Sequence, residues 1–221
     1  MEQKIHEMLQ VVEDIQAALS ERRVDERTIH KDPLHQFMQW LQEIEAVGIF
    51  PYPNAAVVST ASKDAVPSSR VVLIKTYSSE GFVFYTNYGS RKGSDLNENP
   101  LAVLNFYWPI AEQQITITGS VKKIIEREAE DYFRSRPRES QISAWASLQS
   151  TPVKSRANLE AQFEEYEEKF SGLDVPKPVR WGGYRLIPET YEFWMAREDR
   201  FHDRIRYELK EGEWHINRIA T

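Results

Sequence analysis

The chain of 221 residues has no cysteine, which excludes disulfides, thiolate metal sites and cysteine nucleophiles. It has no run of about 18 apolar residues, so no transmembrane helix is expected. It has no surplus of basic charge: 28 Lys and Arg stand against 34 Asp and Glu, a formal charge of −6. General nucleic-acid binders usually carry a basic surface, so that class is set aside, though local basic pockets stay open. No G-x-G-x-x-G, P-loop or G-x-S-x-G motif occurs. The histidines, at positions 6, 30, 35, 202 and 215, form no zinc-like pair at i, i+4, and no metal site is expected. With thiolate and metal routes closed, hydride or electron chemistry here needs an organic cofactor. The opening residues MEQKIHEMLQVVEDIQ lack the basic start and apolar run of a signal peptide, so a soluble cytoplasmic protein is the expectation.

What is present is a substantial apolar and aromatic content, 41% and 12% of residues, enough for a real core. Residues 1–20 read as an amphipathic helix, with Ile5, Met8, Leu9, Val12 and Ile15 at helical spacing. Residues 21–31 are highly charged and read as a linker or loosely held arm. Asp32-Pro33 is an N-cap followed by proline, opening a helix that should stop near Gly48. Residues 1–31 are therefore separated from a main domain over 32–221. Within it the period changes to two: residues 55–61, 69–76, 81–86, 101–108 and 114–125 read as strands, the last bending at Gly119. Residues 91–98, 126–134, 137–148 and 157–170 read as helices. Residues 181–186, 190–195, 204–209 and 214–219 close the chain as four more strands. The fold class expected is mainly β with α, an antiparallel barrel with helices packed outside.

Four constellations could carry chemistry. In an extended segment, Arg200, His202 and Arg204 share one face, with Trp194 upstream. That suits a flat anionic ligand bearing a phosphate; a solvated basic edge strand is the alternative. Arg70 and Lys75 bracket an apolar strand, either as solvated ends or as ligand contacts, and their spacing of five puts them on opposite faces of a flat strand. Tyr85, Thr86, Asn87, Tyr88 and Gly89 lead into Ser90, Arg91 and Lys92, which place two cations in a helix's first turn. Cations there are unfavourable unless an anion binds. Tyr132, Arg136 and Ser140 are spaced by four, but Pro137 interrupts them, so Arg136 should end one helix and Ser140 lie in the first turn of the next. Gln114, Gln149 and Ser150 could read the edge of a heteroaromatic ring.

Together these pieces resemble the pyridoxine/pyridoxamine 5′-phosphate oxidase family. The matching stretches are Arg70-Val-Val-Leu-Ile-Lys75, Phe84-Tyr-Thr-Asn87, Gly89-Ser-Arg-Lys92, Asn99-Pro100, Tyr132-Phe-Arg-Ser-Arg-Pro-Arg138, Ser140-Gln-Ile142, Trp181-Gly-Gly183, Glu192-Phe-Trp194 and Arg200-Phe-His-Asp-Arg204. They run in family order from about Asp32 to the C-terminus. The resemblance implies an FMN-binding split barrel and a homodimer with FMN at the subunit interface. It implies oxidation of the 4′ carbon of pyridoxine or pyridoxamine phosphate to the aldehyde, with dioxygen as acceptor, hydrogen peroxide released, and ammonia released from the amine. It implies FMN contacts from Arg70, Val71, Val72, Leu73, Ile74, Lys75, Tyr85, Thr86, Arg91, Lys92, Gln114, Gln149, Ser150, Trp194 and Arg204. It implies substrate contacts from Lys75, Tyr132, Arg136, Ser140, Arg200, Phe201 and His202, with Arg200 and His202 at the reacting carbon. A related flavin reductase, or a non-catalytic FMN or pyridoxal phosphate binder, are the alternatives. The pattern departs from the family at Gln113, where arginine is usual, at residues 195–199, where small residues are common, and at Phe201, where leucine is usual. An N-terminal Arg-x-x-Tyr is not evident in residues 1–31.

Overall fold

Alternation builds the wall of this molecule. In β4 (Leu101–Trp108) the even-numbered Ala102, Leu104, Phe106 and Trp108 are buried and the odd-numbered residues turn outward, as a half-buried strand requires. β1 (Ala55–Ala61) hides Ala56, Val58 and Thr60 in the same way. The computed structural model describes residues 6, 9–15, 17 and 23–221. Its strands are β1, β2 (Pro67–Ser78), β3 (Gly81–Asn87), β4, β5 (Gln113–Lys123), β6 (Trp181–Met195), β7 (Asp203–Lys210) and β8 (Glu213–Arg218). All pairings are antiparallel, in the order β3-β2-β1-β4-β5-β6-β7-β8, and β3 also pairs with β6. That extra pairing closes six strands into a barrel and leaves β7 and β8 as an extension of β6. The expected barrel with outer helices is the fold observed.

Two expected strands, 190–195 and 181–186, are one. β6 runs through Pro188, which sits at a register shift where Thr118 faces Thr190 but Gly119 faces Pro188. The bulge absorbs the missing proline N–H, so the strand bends without ending. Gly119 is required there: a Cβ would lie 1.9 Å from the Ile187 carbonyl oxygen.

Helix α1 (Pro33–Val47) follows its sequence signals. Asp32 accepts from the Leu34 N–H at 2.8 Å, Pro33 opens the first turn, and Gly48 ends the helix at φ 73. Its Phe37 is fully buried, edge-on to Phe82 at 4.9 Å and Phe106 at 5.0 Å. Truncating it to alanine would cost about 3–5 kcal/mol. The arm before α1 is held more firmly than its charges suggest. Val24 and Ile29 join the main core, the Tyr207 hydroxyl donates to the His30 carbonyl at 2.7 Å, and Arg218 donates to the Val24 carbonyl at 3.0 Å. Residues 9–15 are helical, with Leu9 exposed; Ile5 and Met8 lie outside the described residues.

The remaining helices are α2 (Arg91–Glu98), α3 (Glu126–Ser135), α4 (Arg138–Ala146) and α5 (Arg156–Lys169). A second core gathers Phe133, Ile142, Phe170, Val175 and Trp181 where α3 and α4 meet the start of β6. The last helix packs here, with Phe163 and Tyr166 partly buried and Phe170 beside Trp145. Among the described residues, no helix is long and apolar enough to cross a membrane.

Candidate active site

The turn from β3 into α2 gathers cations around a helix N-terminus. Ser90 caps α2 by accepting from the Gly93 N–H, and Gly93 packs so tightly that a Cβ would lie 2.1 Å from the Tyr88 carbonyl oxygen. Lys92 is buried. Its ammonium donates to Thr86 Oγ1 at 2.9 Å, to Gln149 Oε1 at 2.9 Å and to Ser90 Oγ at 3.3 Å. All three acceptors are neutral. Burial, and then the nearby Arg70 charge, lower its pKa to about 8. Arg70 donates to Thr60 Oγ1 at 2.8 Å and to Ser68 Oγ at 2.5 Å. Those two hydroxyls donate in turn to Asp95 Oδ2, each at 2.7 Å. A hydroxyl-bridged ion pair thus ties β1 and β2 to the middle of α2. Burial would raise the Asp95 pKa, but the bonds from Thr60 and Ser68 and the charges of Arg91 and Arg70 leave it below the usual range. Burial also lowers Arg70, and Arg91 repels it. Arg70 and Arg91 thus share one carboxylate while Lys92 meets only neutral acceptors, near the positive end of a helix, an arrangement suited to an anion.

A cavity of about 390 Å³ opens beside this cluster, lined by Leu73, Lys75, Tyr85, Thr86, Asn87, Tyr132, Arg136 and Trp181, with Ser143, Ala144, Ser147 and Gln149. Tyr85 lies nearly parallel to Tyr132, at 3.8 Å, and to Trp181, at 5.5 Å. Burial, then the Glu128 charge, push the Tyr85 phenol up to about 12, so it stays a donor. Arg136 ends α3, as its position before Pro137 predicts, and its guanidinium sits over Trp181 at 4.8 Å. Its Nη1 is buried with no hydrogen-bond partner among the described residues. Such a donor is costly unless a ligand fills it.

The expected FMN contacts on β2 divide by face. Leu73 and Lys75 line the cavity, Val72 and Ile74 point into the core, and Val71 is exposed. Arg70 and Lys75 stand on opposite faces, as their spacing requires, and Arg70 joins the α2 cluster. Arg91 is exposed at the start of α2. Ser140 occupies the first turn of α4 but does not line the cavity; Ser143 and Ala144 do. Ser150 is exposed beside Gln149, at φ 72.

The other expected contacts form a second patch. Gln114, Trp194 and Arg204 are direct neighbours across β5, β6 and β7, so they share one face. Arg204 pairs with Glu192 at 2.6 Å. The His202 ring lies 4.9 Å from Trp194. The extended run expected over 200–204 is not what the chain adopts. Residues 196–202 form a turn, with Arg200 at φ 63, and β7 begins only at Asp203. The Asp199 side chain accepts from the Phe201 N–H at 3.0 Å, the local bond by which aspartate favours turns. Alternation therefore does not place Arg200, His202 and Arg204 together. Arg200 is exposed and its guanidinium has no partner among the described residues, and Phe201 is 77% exposed.

The cavity and the patch are separate within one chain. Trp181 lines the cavity and Trp194 marks the patch, near opposite ends of the 15-residue strand β6. At about 3.3 Å per residue they stand roughly 40 Å apart along it. Sequence reasoning missed Asp95, Thr60 and Ser68, whose bonds join positions 27 and 35 apart. Their only local trace is Asp95 four residues after Arg91, one helical turn on. It also missed Trp181 as a wall of the cavity; its signal was the Gly182-Gly183 pair that follows, where a Cβ at Gly182 would strike the Tyr88 ring.

Comparison with known proteins adds to this geometry. The family described as pyridoxamine 5′-phosphate oxidase matches residues 42–170, and the pyridoxine 5′-phosphate oxidase C-terminal dimerisation region matches residues 181–221. The pyridoxine/pyridoxamine 5′-phosphate oxidase of Acidovorax sp. (strain JS42) is 46% identical over 209 residues, 95% of each chain. The chloroplastic pyridoxine/pyridoxamine 5′-phosphate oxidase 1 of Arabidopsis thaliana is 47% identical over 88% of this chain and 38% of its own. The crystal structure of PhzG from Burkholderia lata 383, in complex with tetrahydrophenazine-1-carboxylic acid, superposes with a TM-score of 0.84 at 30% identity, covering 91% of this chain and all (100%) of that one. A related FMN-binding protein from Nostoc punctiforme PCC 73102 shares the fold at TM-score 0.67 and 16% identity, over 86% of this chain and 98% of its own.

Proposed function

We infer the activity from one premise: the chain belongs to the pyridoxamine 5′-phosphate oxidase family of oxidoreductases. We propose that it oxidises the 4′ carbon of pyridoxine or pyridoxamine 5′-phosphate to the aldehyde, pyridoxal 5′-phosphate, with FMN as cofactor and dioxygen as acceptor. The observation that carries this reading is the presence of two distinct cationic poles, one behind the cavity wall formed by Thr86 and Gln149 and one in the wall itself. The Arg91, Lys92 and Arg70 cluster is one, and the unpaired Nη1 of Arg136 is the other. Two phosphorylated rings need two such poles; a flavin carrier needs one.

The residues fit FMN. Arg91 and Lys92 would neutralise its phosphate, with Thr86, Gln149 and Arg70 holding Lys92 and α2 in place. Leu73, Lys75 and Tyr85 would face its ring system. Tyr132, Arg136 and Lys75 would hold the substrate, with Ser140 one turn from the cavity lining. The match of residues 181–221 to a dimerisation region supports a homodimer. In our reading the second copy brings Gln114, Trp194 and Arg204 to the FMN, and Arg200 and His202 to the substrate ring, joining the two halves that one chain keeps apart.

Held by Arg91, Lys92, Leu73, Lys75 and Tyr85, FMN would supply hydride acceptance at the substrate carbon and reoxidation by dioxygen to hydrogen peroxide; for the amine, water would then hydrolyse the imine and ammonia would leave. The protein positions and polarises. Arg136 would meet the substrate phosphate through its unpaired Nη1, a charge-assisted bond. The Tyr85, Tyr132 and Trp181 rings exclude water and present flat apolar surface. Holding the donor carbon in a near-attack geometry supplies roughly 7–11 kcal/mol of the barrier, so no strong base is required. The test is direct. The purified protein, reconstituted with FMN in air, should convert pyridoxamine phosphate to aldehyde with equimolar peroxide. FMN binding without turnover of either vitamer phosphate would overturn the oxidase reading in favour of a reductase or carrier, and no FMN binding would overturn it altogether.

A further inference from the structure

We propose that Asp203 and Arg197 are positioning residues: their clasp fixes the turn that carries Arg200 and His202, and it presents His202 as a neutral donor through Nε2. The proposal rests on the reading above, in which Arg200 and His202 face the substrate.

The turn joining β6 to β7 spans residues 196–202, and its ends are tied where Met195 pairs with Asp203. Its sequence sets Glu198 and Asp199 between Arg197 and Arg200 and offers no large apolar side chain except the exposed Phe201. What pins it is charge. Arg197 donates to Asp203 Oδ2 through Nε at 2.7 Å and through Nη2, while Arg218 donates to Oδ1 at 2.8 Å. Both carboxylate oxygens therefore carry a guanidinium. The Arg197 and Asp203 side chains are 11% and 14% exposed, so water screens the pair little. The Val24 N–H adds a longer contact at 3.4 Å, which brings the N-terminal arm to the same carboxylate. Arg200 holds a left-handed backbone at φ 63, which an arginine rarely adopts unless its surroundings enforce it.

The same clasp sets the state of His202. The Arg197 backbone N–H donates to His202 Nδ1 at 3.0 Å. A backbone amide can only donate, so Nδ1 carries the lone pair and the proton of the neutral ring sits on Nε2. In this state Nε2 already bears its proton and cannot take another from a substrate. A doubly protonated ring has no lone pair left for the Arg197 N–H. His202 is thereby committed to donating a hydrogen bond, which orients and polarises.

The test uses the full chain, free and FMN-loaded. Nitrogen-15 NMR of labelled histidine, assigned with His202→Gln, should show unprotonated Nδ1 and protonated Nε2 in the free protein. In Arg197→Ala, whose Asp203 keeps Arg218 and Val24, kcat/KM for pyridoxamine phosphate should fall, by up to roughly 10²-fold if the turn shifts by about 1 Å. FMN affinity should not change, and the histidine signal should show both tautomers. Arg197→Lys should recover part of the loss, and Asp203→Asn should reproduce it. A proton on Nδ1 in the parent protein, or unaltered kinetics in Arg197→Ala, would overturn the proposal. A parent protein inactive on both vitamer phosphates would overturn the functional reading instead, and the tautomer would then decide the clasp alone.

Discussion

The α2 cluster and the 196–202 turn hold cations in opposite ways. At α2, Lys92 is buried against three neutral acceptors, and Arg70 reaches Asp95 only through hydroxyls. Its charge is left largely uncompensated. At the turn, Arg197 and Arg218 meet Asp203 directly, and that charge is already satisfied. The contrast separates two tasks. A site that must capture an anion keeps cations under-paired, at a cost to the fold, because burial disfavours the charged form. A site that must hold a shape closes its ion pairs and leaves the other groups of the turn, Arg200 and His202, outside them.

The largest expected effect attacks the under-paired side. Lys92→Met should weaken FMN binding by about 3 kcal/mol, the upper end for a charge-assisted hydrogen bond, or roughly 150-fold. The free protein should be as stable as the parent or more so, because a buried ammonium is removed. Fluorescence titration and thermal unfolding of the free protein measure the two. A parallel loss of stability and affinity would make Lys92 structural and dissolve the contrast. Arg136→Ala comes next: the KM for pyridoxamine phosphate should rise by about 2 kcal/mol, roughly 30-fold, if one charged bond to phosphate is lost. FMN affinity should stay put. A flavin-affinity loss of the same size would place Arg136 at the flavin's phosphate.

Proton linkage sharpens the same point with a smaller effect. The Lys92 pKa is lowered to about 8 in the folded chain, against 10.5 for the ordinary side chain. Between those values the unfolded chain binds a proton that the folded one does not. The stability of the free protein should therefore rise with pH across about 8 to 10.5 on account of this group, and be insensitive to it below 8. FMN affinity should fall over the first part of that window, as the ammonium is lost. The buried tyrosines titrate higher and act in the other direction, so the informative quantity is the parent curve minus that of Lys92→Met. A flat difference would mean that Lys92 is not desolvated.

The two regions also differ in how far they could be read from sequence. Strand positions came through wherever burial alternated, as in β1 and β4, because the period of two is a direct imprint of the barrel wall. β6 was read as two strands since Pro188 breaks the local rule, and only the partner Gly119 shows that a bulge restores it. The first turn of α2 stood out locally, by placing cations where a helix disfavours them. The Arg-x-His-x-Arg spacing misled: alternation implied an extended strand, whereas the Asp199 side chain closes a turn on the Phe201 N–H. Asp95 and Asp203 were invisible as hubs because their partners are brought up by other elements. The separation of the cavity from the Trp194 patch likewise follows from the length of β6 and not from any motif.

The smallest effect tests where the clasp ends. Arg218 is shared: it meets the largely buried Asp203 on one side and Glu26 of the arm on the other, where the side chains are 40% and 42% exposed. Exposed pairs contribute between 0 and about 1 kcal/mol, because water screens them and two long side chains must be immobilised. Glu26→Gln should therefore lower the unfolding temperature by no more than about 2–4 °C in a chain of this size, and that difference should vanish in high salt. Asp203→Asn leaves the largely buried Arg197 guanidinium, and the more exposed Arg218 beside it, facing a neutral amide; it should cost several times as much, with less dependence on salt. Thermal unfolding of both variants at low and high salt measures this directly. Equal, salt-insensitive losses would extend the rigid unit from the turn into the arm, and the arm would then have to be counted among the elements that place Arg200 and His202.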